Sequence, residues 1–182
     1  MELRKMTAAA ICAAIMAVTS QIYISLPGAV PQTLQVMFAV FCGILLGPKW
    51  GAGSLLLWIL MGVVGLPVFT EGKSGLFALA GPTGGFLIGF VVQAYLGGYL
   101  MRIRSMYWRC LAAVLALVIV YAIGLAGFML SFAYFLQKPM SLPLALTVAV
   151  LPFIPMDIIK VILGTLLGSR IYQALQKAGL MI

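Results

Sequence analysis

The stretch Leu111-Ala-Ala-Val-Leu-Ala-Leu-Val-Ile-Val120 decides the class of fold, because every position in it is apolar. It lies within residues 110–137, which carry no charged side chain. A transmembrane β-strand would alternate polar and apolar residues over about ten positions, and no such alternation occurs here. A helix that crosses the hydrocarbon core needs about 20 apolar residues. We therefore predict a transmembrane helix near residues 108–135.

The composition extends this prediction to the whole chain of 182 residues, of which 64% are apolar and only 8% are charged. Soluble domains carry about 25% charged residues, so this chain has too few to cover a soluble surface. Disorder is excluded because it requires low hydrophobicity. The chain has no histidine and three acidic residues, which argues against most metal-dependent and acid–base enzymes. We predict no catalytic group, no metal site and no cofactor.

Charges and turn residues divide the chain into six apolar segments. The turn signals in Ser25-Leu-Pro-Gly28 and at Pro31 split the first neutral run into two helices. The predicted spans are residues 6–25, 33–47, 51–67, 81–101, 108–135 and 150–174. The predicted fold is thus an all-α integral membrane protein whose 182 residues form one transmembrane domain.

The basic residues predict the orientation of these spans. Cytoplasmic loops carry an excess of Lys and Arg, and eight of the eleven basic residues are cytoplasmic if both termini are inside. These eight are Arg4, Lys5, Lys49, Arg102, Arg104, Arg109, Arg170 and Lys177. Because they are spread over several short turns, nucleic-acid binding is not predicted. We expect a multi-pass protein of a prokaryotic cytoplasmic membrane, with its N- and C-termini in the cytoplasm.

The segment Pro152-Phe-Ile-Pro-Met-Asp157-Ile-Ile-Lys160 holds the one acidic residue at membrane depth. Asp157 and Lys160 are three residues apart and therefore share a helix face. Ionisable groups within the membrane usually face a cavity or a partner. The pair offers acceptors and donors for a neutral ligand group with both N–H and C=O, such as a urea or an amide. The structural alternative is an ion pair in the first turn after Pro155, stabilised by the helix dipole.

Two outer segments converge on the same side of the membrane as this pair. The loop 67–80 mixes apolar side chains with Gly and charge, which favours a lid over a site or an interfacial loop. The segment Gly81-Pro-Thr-Gly-Gly85 permits a close backbone approach to a ligand or to another helix, and helix packing is the simpler explanation. Neutral hydrogen-bonding groups come from the segment 31–35. This convergence predicts a binding site at the outer face.

The first helix carries a stripe of small residues at Ala9, Ala13 and Ala17. A spacing of four places them on one face, where they permit close contact with another helix. That helix belongs either to this chain or to a partner protein, and composition alone favours this chain.

Several motifs, in the same order along the chain, resemble the BioY family of biotin transport proteins. They are Pro31-Gln-Thr33-Leu-Gln35, Leu46-Gly-Pro-Lys49, Gly65-Leu-Pro67-Val-Phe69, Gly81-Pro-Thr-Gly-Gly85 with Phe86 and Gly89-Phe90, and Pro152-Phe-Ile-Pro-Met-Asp157-Ile-Ile-Lys160. The resemblance implies a six-helix S component of an energy-coupling factor (ECF) transporter that captures biotin. Such a component works with a transmembrane scaffold subunit and two cytoplasmic ATPases, which alone use ATP. It also implies that the alanine stripe, Ala9, Ala13 and Ala17, docks the scaffold.

The resemblance assigns the ligand to Asp157, Lys160, Thr33, Gln35, Phe69, Lys73, Gly81, Thr83 and Gly84. Asp157 would accept the ureido N–H groups, and Lys160 would donate to the ureido oxygen or pair with Asp157. Trp58 or Trp50 could add aromatic surface, with Trp50 disfavoured by its position near the inner face. The lid departs from the family pattern, because Glu71 and Lys73 stand where glycines are common. The ligand carboxylate would bind Lys73 or the amides of residues 81–85.

Three alternatives remain from the residues themselves. The chain could be an S component for another vitamin, such as riboflavin or thiamine. It could be a proton-coupled carrier that works alone, or a small channel, with Asp157 as the titrating group. A membrane enzyme acting on lipids is the least favoured, because no nucleophile–base arrangement is evident.

Overall fold

The computed structural model describes residues 2–24 and 30–180, and these residues are mainly helical. The helices are α1 (Glu2–Ser20), α2 (Gln35–Val63), α3 (Leu76–Ala80), α4 (Gly84–Gly97), α5 (Met106–Leu130), α6 (Leu142–Ala149) and α7 (Ile154–Lys177). Short 3₁₀ turns cover Thr70–Gly72 and Leu100–Arg102, and a π-helical turn, Ser131–Phe135, continues α5. Two short strands, β1 (Tyr23–Ile24) and β2 (Gln32–Thr33), pair antiparallel. The predicted turn Ser25-Leu-Pro-Gly28 lies outside the described residues.

Four helices are long and apolar enough to cross a membrane. They are Leu3–Ser20, Gln35–Val63, Gly84–Arg102 and Met106–Phe135, and a fifth span arises if α6 and α7, bent by 51°, count as one. These helices overlap all six predicted spans, but α1 ends at Ser20 rather than at residue 25, and α2 ends at Val63 rather than at residue 67. The sequence reading did not include α6, a short helix that begins beside Pro143 and ends before Pro152.

Helix α2 is a hairpin of two arms rather than one long rod. Gly47 has a non-helical backbone (φ 78°, ψ 175°), and Pro48 follows it. A Cβ added to Gly51 would lie 2.7 Å from the Cα of Gly43, whereas residues eight apart in a straight helix are about 12 Å apart. The chain therefore reverses at Gly47, and arms 35–46 and 48–63 pack antiparallel. Counted separately, the arms give six apolar segments, although six complete crossings stay a prediction.

The loops gather at two opposite ends of the bundle. The turn at Pro48 lies beside the turn after α4, because a Cβ on Gly98 would approach the Pro48 nitrogen to 2.1 Å. At the other end, the Ser20 hydroxyl at the end of α1 donates to the Val68 carbonyl at 2.6 Å. We call the first the basic end, since Lys49 and three arginines of residues 102–109 lie there, and the second the cavity end.

Close contacts between helices depend on small residues. A Cβ on Gly127 of α5 would lie 2.5 Å from the Cα of Gly85 of α4, so both positions have room only for hydrogen. Gly164 of α7 lies against Met37, and Gly168 lies against Ile44. Helix α7 therefore runs parallel to the first arm of α2, which brings its beginning close to residues 30–35.

The structure corrects the prediction for the alanine stripe. Ala9 and Ala13 are 6% and 1% exposed, so they pack inside the bundle and cannot contact a partner in this conformation; Ala17 is half-buried. Between them, the Cys12 side chain contacts Cys42 of α2. Residues Ala10 and Ala14, one position further along, are exposed instead. Spacing of four fits either pair, and only the packing of α1 on α2 decides which pair is outside.

Candidate functional site

A cavity opens at the cavity end, between the loop before α2 and the beginnings of α4 and α7. The space between its lining residues, counted out to the open mouth, is about 740 Å³. The residues that line it are Val30, Pro31, Gln32, Thr33, Gln35, Val36, Phe69, Thr70, Lys73, Ala78, Thr83, Phe86, Leu87, Phe90, Val120, Tyr121, Ala149, Phe153 and Asp157.

Asp157 is the centre of the polar wall of this cavity. It lies in the first turn of α7, where the helix dipole favours a negative charge. Its Oδ2 accepts a hydrogen bond from the Tyr121 hydroxyl at 2.9 Å, and its Oδ1 accepts one from Gln32 Nε2 at 3.1 Å. Three segments far apart in sequence thus hold one carboxylate in a fixed orientation at the cavity wall.

Lys160 lies behind Asp157 and does not line the cavity. It is 7% exposed, and its Nζ donates to the Thr33 carbonyl at 2.6 Å and to Asp157 Oδ1 at 3.2 Å. A buried ammonium needs such partners because its desolvation is unfavourable. Of the two predicted roles, the geometry favours charge partner of Asp157 over direct donor to a ligand.

Two glutamines of the cavity wall each have a buried side-chain atom that forms no hydrogen bond with the described residues. Gln35 Oε1 accepts from the hydroxyls of Thr33 at 2.8 Å and Thr70 at 3.4 Å, but its Nε2 donates to no described atom. Gln32 Oε1 likewise has no described donor, and the two side chains are 3% and 7% exposed. Buried polar groups are normally hydrogen-bonded, so the cavity wall contains one unpaired amide donor group and one unpaired carbonyl acceptor.

The remaining cavity wall is mainly apolar, and four of its residues are phenylalanines. Phe69, Phe86, Phe90 and Phe153 line it. Trp58 is fully buried behind Phe69, packs edge-on against that ring at 5.4 Å between ring centroids, and donates its Nε1 hydrogen to the Val68 carbonyl. Of the three aromatic residues that the resemblance proposed for the ligand, only Phe69 therefore lines the cavity. Trp50 lies three residues after the Gly47 break, at the basic end.

The loop 67–80 lies over the cavity, as a lid would. Phe69, Thr70, Lys73 and Ala78 of this loop line the cavity. Gln21 at the end of α1 holds the loop, because its Nε2 donates to the Phe69 carbonyl at 2.9 Å and its Oε1 accepts from the Gly72 N–H at 3.2 Å. Within the loop, the Lys73 ammonium pairs with Glu71.

The segment 81–85 contributes less than the sequence reading assigned to it. Thr83 lines the cavity, while Gly81 and Gly84 do not. A Cβ on Gly84 would come within 1.7 Å of the Leu79 carbonyl oxygen, so this glycine permits the tight passage from α3 into α4. The packing explanation therefore accounts for Gly84.

Several lining residues were not assigned to the ligand from the sequence, among them Tyr121, Thr70, Phe86, Phe90 and Phe153. Only Tyr121 left a usable signal, as a side chain with a polar tip inside the apolar run 110–137. The phenylalanines cannot be told from core residues by type or spacing.

Comparison with known proteins identifies the family of this chain. The model of the BioY family matches residues 1–177. The chain belongs to the BioY family. The biotin transporter BioY of Thermotoga maritima is 37% identical over 152 residues, which cover 82% of this chain and 85% of that protein. Biotin transporter BioY2 of Lactococcus lactis is 34% identical over 174 residues, covering 96% and 93% of the two chains.

A solved structure gives the same assignment for the BioY fold. The crystal structure of the S component for biotin from an ECF-type ABC transporter superposes with a TM-score of 0.83 at 25% identity, covering 94% of this chain and 92% of that chain. The prediction of an S-component-like helical bundle is therefore confirmed. A BioY chain with this cavity is a membrane transport protein.

Proposed function

We propose that this BioY chain is the biotin-capturing S component of an ECF transporter, acting with a scaffold subunit and two cytoplasmic ATPases. The observation that carries the proposal is the fixed Asp157 carboxylate beside the free amide groups of Gln32 and Gln35. The biotin transporters and the S component for biotin to which the chain is similar agree with it. The cavity end faces outward in this proposal, so the basic end is cytoplasmic, as the positive-inside rule requires.

The ureido head of biotin complements this polar wall. It has two N–H donors, for Asp157 and for Gln32 Oε1, and one carbonyl oxygen, for Gln35 Nε2. Each of these pairs would satisfy a buried group. The apolar ring system and chain would then lie against Phe69 and Phe86.

Lys73 is the group that we assign to the carboxylate of biotin. It is the one cation that lines the cavity among the described residues, and its side chain is 56% exposed. On ligand entry it would exchange Glu71 for the carboxylate of the ligand. Glu71 and biotin each offer Lys73 one carboxylate, so Lys73 keeps one ion pair after the exchange. The new pair would be the stronger one, because the ligand carboxylate would lie in a more enclosed position than Glu71.

Binding of labelled biotin to the purified chain in detergent tests the proposal. We expect one biotin per chain, retained after gel filtration and competed by unlabelled biotin but not by riboflavin or thiamine. Displacement by one of those vitamins instead would assign the site to another substrate. Flux of biotin into liposomes without partner subunits, driven by a pH gradient, would favour a carrier that works alone.

Replacement of Lys73 by Met is expected to lower the affinity for biotin about tenfold, which is the effect of losing one charge-assisted hydrogen bond at a half-exposed site. Biotinamide lacks the carboxylate, so its affinity should change less than about twofold in the same variant. Titration of both ligands by calorimetry measures the difference. Lys138→Met, an exposed lysine outside the cavity, is the control. Equal losses for both ligands would exclude Lys73 as the carboxylate partner.

Docking of the scaffold is assigned to the exposed face of α1. Ala10 and Ala14 are small and exposed, and Ile11 and Val18 beside them are 56% and 64% exposed. Small residues at a spacing of four allow helices to approach closely in lipid. This face replaces the stripe of Ala9 and Ala13, which the bundle buries.

A further inference from the structure

A group of basic and aromatic side chains lies at the basic end, far from the cavity. Tyr95 lies in the last turns of α4, and Tyr99 lies in the turn just after that helix. Their hydroxyl oxygens are 3.1 Å apart and their ring centroids are 5.5 Å apart. The Arg102 guanidinium lies over the Tyr99 ring, 4.7 Å from its centroid. Arg104 is exposed two residues further on. We name Tyr95, Tyr99, Arg102 and Arg104 the basic–aromatic cluster.

Arg109 builds the turn that presents this cluster. It is 4% exposed, and it donates from Nε to the Leu100 carbonyl at 3.1 Å and from an Nη2 hydrogen to the Ile103 carbonyl at 2.7 Å. These bonds fix the backbone between α4 and α5. The turn therefore holds Arg102 and Arg104 outward at a defined place on the surface.

No described carboxylate neutralises the cluster. The acidic side chains that the structure describes are Glu71 and Asp157, and both belong to the cavity end, where they pair with lysines. The Arg102 guanidinium uses its face on Tyr99, which leaves its N–H edge free. One phenol hydrogen of the two tyrosines is also free, because a single hydrogen bond joins the two hydroxyls.

Neighbouring aromatic residues place the cluster at the level of lipid headgroups. Tyr107 and Trp108 begin α5 with exposures of 70% and 58%, and such exposed Tyr and Trp residues mark the membrane–water interface. A planar guanidinium binds phosphate oxygens through two parallel hydrogen bonds. We propose that the basic–aromatic cluster binds the phosphate of an anionic phospholipid.

Native mass spectrometry of the full chain in detergent tests this site. Phosphatidylglycerol and phosphatidylcholine with the same acyl chains are titrated separately, and inorganic phosphate is a third arm. We expect wild type to retain phosphatidylglycerol preferentially. The double variant Arg102→Gln with Arg104→Gln should reduce that retention about tenfold, since charge-assisted bonds to phosphate are lost, while phosphatidylcholine is unchanged. Lys138→Gln, an exposed lysine of the other end, should behave as wild type.

Other results would overturn the proposal. Equal retention of both lipids by wild type, or an unchanged preference in the double variant, excludes a site for anionic lipid at the cluster. Retention of inorganic phosphate alone indicates a soluble anion. If the double variant keeps its lipid preference but no longer copurifies with the partner subunits, the cluster contacts an acidic protein surface. Melting temperatures in detergent, which we expect to match because both arginines are exposed, establish that the variants fold.

Discussion

Replacing Asp157 by Asn is expected to lower the affinity for biotin at least about a hundredfold, since loss of a charged partner from a buried, hydrogen-bonded binding contact costs about 2–5 kcal/mol. The amide cannot serve as a charged acceptor for ureido N–H groups. It also leaves Lys160, which is 7% exposed, without its counter-ion. Equilibrium binding of labelled biotin measures the change. Glu71→Gln neutralises the other described acid, whose side chain is 35% exposed, and gives the contrast. It should not weaken binding, because it removes only the competitor of the ligand carboxylate for Lys73.

A second variant separates recognition from stability. Asp157→Asn combined with Lys160→Met removes both buried charges, so we expect the melting temperature to recover, because charged pairs can be replaced by apolar groups with little loss. Biotin binding should stay lost. Recovery of affinity in this double variant would show that Asp157 serves only as the partner of Lys160 and does not touch the ligand.

Replacing both Ala10 and Ala14 by Leu is expected to reduce biotin uptake by cells about ten- to a hundredfold, because bulky side chains at a small-residue interface prevent close helix approach. Biotin binding by the isolated chain should be unchanged, since the two residues face away from the bundle. Uptake in cells that express the scaffold and ATPases, together with copurification of those subunits, gives the two readouts.

Helix α5 offers a matched control for this surface. Ala122 and Ala126 are also exposed and also four residues apart, so replacing both by Leu makes the same change on another face. We expect normal uptake and normal copurification. If these variants lose the partners while the α1 variants keep them, the scaffold docks on α5 instead.

The apolar runs of the sequence were sufficient to predict the class of fold. A run such as residues 110–137 lacks the alternation of a barrel strand, so in lipid its backbone can be fully hydrogen-bonded only as a helix. The helical segments were therefore predictable from composition and charge spacing. Asp157 could also be found without the fold, because one acid at membrane depth stands out against its apolar surroundings. The grouping of residues 31–35, 67–80 and 157 at one end followed from the alternation of spans.

Tertiary structure alone decided which side chains line the cavity. Lys160 shares a helix face with Asp157. It nevertheless lies behind the carboxylate, because its ammonium donates a hydrogen bond to the Thr33 carbonyl. The free amide groups of Gln32 and Gln35 become evident only when every neighbouring donor and acceptor is in place.

The same division applies to α1. Its sequence determines that Ala9 and Ala13 form one stripe and that Ala10 and Ala14 form another, because helical periodicity fixes which residues share a face. It does not determine which stripe is buried, because that depends on how α1 packs against the separate helix α2. In this protein the sequence specified the long helices, their order and the single acid at membrane depth. The packing between helices selected the side chains that line the cavity and the face of α1 that stays exposed.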